Sequence, residues 1–112
     1  MKPIRIIIHH TANETQEPQL KLTDNYHKQE GFPKSSLGYY VGYTYFVERD
    51  GTTTQTRIDT EEQAHTKEFN FNSIGICLAG NFDKEQPTTT QRHKLRELIK
   101  QNRQVIPYSI RL

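Results

Sequence analysis

The sequence is short of cysteine, of charge imbalance and of long apolar runs. Its single cysteine, Cys77, excludes an internal disulfide and agrees with folding in a reducing compartment. Lys and Arg number 15 against 13 Asp and Glu, with the two signs interspersed and a formal charge of +2. That pattern lacks the basic stripe nucleic-acid binding needs, so no nucleic-acid partner is expected. No segment approaches the roughly 20 apolar residues of a membrane-spanning helix, so no membrane insertion is expected. The opening MKPIRIII is too short for the apolar core of a secretory signal and has no small-residue cleavage site. The expectation is a protein made in the cytoplasm without a signal peptide. With 112 residues, of which 32% are hydrophobic, the chain reads as one domain with a modest core.

What is present begins with IRIIIHHTAN, residues 4–13, an aliphatic run ending in two histidines. It reads as an internal strand with alternating faces: Ile4, Ile6, Ile8 and His10 on one side, Arg5, Ile7 and His9 on the other. Leu20, Leu22 and Tyr26 mark a helix ending at Gly31. SSLGYYVGYTYFVERDGTTTQT reads as a hairpin turning at Arg49-Asp50-Gly51. In SIGICLAGNF, Ile74, Ile76 and Leu78 alternate with Gly75, Cys77 and Ala79, as in a central strand. Pro87 and Thr88 open a helix running to about Arg103, with Leu95, Leu98 and Ile99 on one face. A short strand over residues 105–112 closes the chain. The order strand, helix, hairpin, strand, helix, strand predicts an α/β fold, a mixed central sheet flanked by helices. Such sheets carry their sites at strand ends, where the two histidines lie.

IIIHHTA, GYTYFVERDGT, AHTKEFNFNSIGICLAGNF and PTTTQRHKLRELI occur in an order and spacing that resemble the N-acetylmuramoyl-L-alanine amidases. That family includes phage lysozyme-type amidases and peptidoglycan-recognition proteins, and the resemblance covers essentially the whole chain. It implies a zinc hydrolase that cleaves the amide between muramic acid and the first L-Ala of peptidoglycan. Its partner would be peptidoglycan or a muropeptide, and its place of action the cell wall once released. The first histidine of the strand-end pair, His9, would be a zinc ligand. The tyrosine of Gly42-Tyr43-Thr44-Tyr45 would assist catalysis; here Tyr45 replaces the family's usual Phe and Thr44 a common His. Such a zinc ion leaves one position for water, lowers its pKa towards ~7 and polarises the amide carbonyl. A phenol nearby can donate to the developing oxyanion.

The family's other two ligands, a His and then a Cys or Asp, belong to a segment after the last strand. The 112 residues therefore read as a single amidase-like domain without that segment, holding one zinc ligand of three. Two functions follow as expectations: a zinc-dependent peptidoglycan amidase, or a metal-free module that binds a muropeptide or another small polar ligand without hydrolysis. His65, Asn72 and His10 are the expected substrate-binding residues. His65 lies in an Ala-His-Thr segment resembling a cleft-lining motif, and Asn72 lies in a region the family uses to shape the cleft, where loop-satisfying hydrogen bonds are an equal alternative. His10, facing away from His9, suits packing or support better than ligation. Cys77 reads as a buried inert thiol, and His27 and His93 as surface residues on helices.

Overall fold

The alternating isoleucines become β1, Arg5–His10, in a computed structural model that describes residues 5–58 and 73–102. α1, Leu20–Gln29, follows, then the hairpin of β2, Tyr45–Val47, and β3, Thr53–Gln55. β4, Ser73–Leu78, and α2, Thr89–Gln101, complete the described elements. The strands form a mixed sheet in the order β1-β4-β2-β3. β4 runs parallel to both β1 and β2, and β2 and β3 are antiparallel. The alternating SIGICL segment is thus central, as its pattern predicts. The strand expected over 105–112 and the loop through His65 lie outside the described residues.

Pleating divides the core. Ile6 and Ile8 join Tyr45, Val47, Ile74, Ile76 and Leu78 on the face covered by Leu98 of α2, with Phe82, Leu95 and Ile99 at its margin. The other face gathers Val41, Phe46, Cys77 and Ala79, with Leu20 of α1, Tyr39 and Tyr43 packed against them. Apolar faces on both sides of one sheet require a helix layer on each.

The helix starts are held by side chains. Thr88 accepts from the Gln91 amide at 3.1 Å while the Gln91 side chain accepts from the Thr88 amide at 3.0 Å, a reciprocal cap. Gln91 is fully buried because its carboxamide also donates to the carbonyls of Ala79 at 2.9 Å and Val47 at 3.3 Å. Gln19, which precedes α1, makes no side-chain cap; instead the Glu48 carboxylate accepts the amides of Gln19 and Leu20. A carboxylate there also suits the positive end of the helix dipole.

Two expectations need correction. The hairpin is present as read, but of the aromatic run that leads into its turn only Tyr45–Val47 is strand. The amides of residues 40–42 are taken by side chains of α1, so they have no need of a neighbouring strand. The stripe Leu20, Leu22, Tyr26 predicts the inward face of α1, but Leu22 and Tyr26 are exposed. The inward side of α1 carries Leu20, Asp24 and His27, because the polar pair has backbone donors waiting for it.

Candidate functional site

Parallel pairing of β1 with β4 sets His9 beside Cys77 and His10 beside Leu78. Beyond His10 the chain is pinned to the end of β4: Thr11 and Ala12 donate their amides to the carbonyls of Leu78 and Gly80 at 3.1 and 2.9 Å. Ala12 has a φ of 57°, in the left-handed region, at a cost of about 1 to 2 kcal/mol that these bonds oppose. The Thr11 hydroxyl accepts from the Gly80 amide and donates to the buried Gln19 side chain, closing the loop before α1.

The structure brings His9 and Tyr43 together, with ring centroids 5.2 Å apart. Tyr43 also lies 5.6 Å from the ring of His27, which stacks on Phe32 at 4.3 Å. Beside this cluster is a cleft of about 180 Å³ lined by Thr11, Asn13, Leu22, Thr23, Tyr26, His27 and Tyr43. Its walls are the loop after β1, the exposed side of α1 and the segment before β2. The Leu22 and Tyr26 side chains that contribute nothing to the core therefore border this cleft.

Burial pushes the Tyr43 phenol far above its ordinary range, and the Cys77 thiol beside it adds to the shift by charge and hydrogen bonding. Burial likewise pushes the Cys77 thiol upward, opposed by the hydrogen bond from Tyr43 and reinforced by Glu48. Both groups stay neutral across the physiological range. Tyr43 is thus placed as a hydrogen-bond donor to Cys77, and Cys77 is the buried thiol its strand position predicts. His27 is held below its ordinary value by burial first and by Arg57 second, with Asp24 opposing.

His10 is not brought to the cleft. It lies on the opposite face of β1, stacks on Phe82 at 5.6 Å and accepts the Phe82 amide on Nδ1 at 3.0 Å. Strand alternation alone separates it from His9, so its place is one of support. His65 and Asn72 lie outside the described residues. His93 is exposed, as expected, and pairs with Glu97. His27 corrects the expectation of a surface residue: it is only 7% exposed, and its Nδ1 accepts the Gly42 amide at 3.0 Å. The sequence signal was its spacing of three from Asp24 and seven from Leu20, which puts all three on one side of a helix. Among the described residues no group of three His, Cys, Asp or Glu could hold a metal ion. His10 faces away, and His27 and Cys77 are engaged with Gly42 and Tyr43.

The family model described as N-acetylmuramoyl-L-alanine amidase matches residues 1–109. The endolysin of Escherichia phage T7 is 31% identical over an alignment of 100 residues that covers 84% of this chain and 62% of the endolysin. Peptidoglycan-recognition protein SC1a of Drosophila melanogaster is 32% identical over 78 residues, covering 69% of this chain and 42% of that protein. Among solved structures, the N-acetylmuramoyl-L-alanine amidase LysC from Clostridium intestinale URNW superposes with a TM-score of 0.77 at 27% identity, covering 97% of this chain and 69% of LysC. The chain thus spans less than two thirds of the length of these two curated relatives.

Proposed function

This chain belongs to the N-acetylmuramoyl-L-alanine amidase family, and from that premise we propose that its cleft receives the muramoyl-peptide end of peptidoglycan and that the intact protein hydrolyses the lactyl-alanine amide at the cell wall. The observation that carries the reading is that Tyr43, which lines the cleft, lies with its ring against His9. His9 is the residue that would hold the zinc ion of the family. The described residues do not complete a three-ligand set around it, so the chemistry assigned to this chain rests on its own groups.

Tyr43 supplies an O–H donor whose proton is favoured by burial and by the neighbouring Cys77 thiol. Its role in the proposal is to exchange the Cys77 sulfur for the amide carbonyl oxygen, a bond that strengthens as negative charge builds on that oxygen. Thr11, Asn13 and Thr23 offer polar groups, and Leu22 and Tyr26 apolar surface, for the flanking parts of a muropeptide. Recognition in this sense needs only the cleft, and the metal-free binding module remains the second reading because Tyr43 is already engaged by Cys77.

Titration calorimetry with a muramyl tripeptide, alongside an amide-hydrolysis assay in added zinc, tests both. Tyr43→Phe is expected to weaken binding by a few-fold to about tenfold, the effect of one neutral hydrogen bond. If hydrolysis occurs, His9→Ala should abolish it and Tyr43→Phe should slow it by about 10² to 10³. Binding without hydrolysis selects the module; neither binding nor hydrolysis by folded protein overturns both.

A further inference from the structure

The segment before Tyr43 is gripped from two sides by side chains. Asp24 Oδ1 accepts the amides of Tyr40 at 2.7 Å and Val41 at 3.1 Å, and His27 Nδ1 accepts that of Gly42 at 3.0 Å. Three successive backbone donors are thus taken by two residues one turn apart on α1. The carbonyls are held by Arg57, whose Nε donates to Val41 at 2.8 Å and whose Nη2 donates to Tyr40 and Pro33. Arg57 is only 2% exposed. Immediately after Tyr43, the Thr44 amide donates to Gly75 at 2.8 Å and the Thr44 hydroxyl accepts from the Gly75 amide at 3.1 Å. Tyr43 therefore sits between a side-chain bracket and the start of β-pairing.

We propose that Asp24, His27 and Arg57 are positioning residues: by fixing the backbone of residues 40–42 they set the Tyr43 ring against His9. This rests on the reading of Tyr43 as a substrate-facing group. A turn merely needing its amides satisfied could use water, since loops run over the surface. Here the acceptors are a helix side chain buried beneath aromatic rings and a carboxylate from the same helix turn, and the donor to the carbonyls is a buried guanidinium. The imidazole acts through Nδ1 as an acceptor, so the neutral ring carries its proton on Nε2.

The test is NMR on the intact protein, reading the exchange protection of the residue 40–42 amides and the ring-to-ring nuclear Overhauser contact of Tyr43 with His9. His27→Asn places a carboxamide oxygen where Nδ1 stood, and His27→Phe keeps an aromatic ring without an acceptor. The Asn variant should retain Gly42 protection and the ring contact. The Phe variant should lose about tenfold or more of Gly42 protection and weaken the ring contact. A folded Phe variant with the ring contact intact overturns the proposal. If that variant does not fold, Asp24→Ala carries the same test at residues 40 and 41, and an unchanged ring contact again overturns it. Wild-type protein that binds no muropeptide would overturn the functional reading of the cleft, whereas amide protection and ring contact still decide the bracket.

Discussion

His27 shows what a single residue contributes when its surroundings decide its protonation. Burial among Phe32, Tyr43 and Tyr26, with Arg57 nearby, holds it below the ordinary value of 6.5, while Asp24 partly restores it. The unfolded chain then binds a proton at higher pH than the folded one. The stability His27 contributes is fully present above about pH 6.5 and is lost as pH falls through its lowered folded value. Urea unfolding of wild type and His27→Asn should therefore give curves that converge or cross as pH drops from 7 towards 5, with wild type losing the more. Parallel pH dependences would show that His27 does not titrate differently in the two states. The place of His9 at the end of β1 was legible from the alternating aliphatic run, whereas its role as a zinc ligand is only what the family resemblance implies. The place of His27 was not legible, because a histidine on a helix is usually solvated and only its backbone partner, 15 residues away in sequence, explains its burial.

At the scale of elements, α2 was readable from its start: Pro87 and Thr88 before a periodic run signal a cap. What the pattern did not disclose is that Gln91 closes the cap and reaches two carbonyls of the sheet. Gln91→Ala removes both, and a loss of about 1 to 3 kcal/mol is expected by chemical denaturation; a change under about 0.5 kcal/mol would mean water replaces the side chain. The hairpin turn meets the same helix. Gly51 has a φ of 90°, and a Cβ there would lie 2.2 Å from Thr90 Cγ2. Gly51→Ala should thus destabilise by more than about 1 kcal/mol, whereas Gly51→Ala combined with Thr90→Ser should recover the steric part only. Melting temperatures of the two variants would separate these contributions. α1 was harder to read because its inward face is polar, and amphipathicity identifies only faces that bury apolar atoms.

For the whole molecule, the order of elements was enough to anticipate a mixed sheet between helices, since parallel neighbours such as β1 and β4 demand a covering crossover. Long-range pairings within the site were beyond that reasoning: the grip of Asp24 and His27 on residues 40–42 joins segments whose proximity arises only on folding. Because one sheet serves two cores, neither helix layer has a separate foundation. Phe46→Ala on the α1 side should cost about 3 to 5 kcal/mol, a large part of the 5 to 15 typical of a domain. Near-ultraviolet dichroism of the tyrosines and far-ultraviolet dichroism of the backbone should still fall together in urea. Separate midpoints would reveal layers that melt independently.

The clasp on residues 40–42 also separates reach from register. Just upstream, Ser36, Leu37 and Gly38 form an exposed tip, while Ser35 is anchored by its hydroxyl to the Thr56 carbonyl at 2.6 Å. Added residues at the tip would lengthen a loop whose two ends are already moored, at roughly 0.6 kcal/mol for each doubling of length. The tip is therefore a place where the chain can be extended, by evolution or by grafting, while the phenol downstream keeps its address.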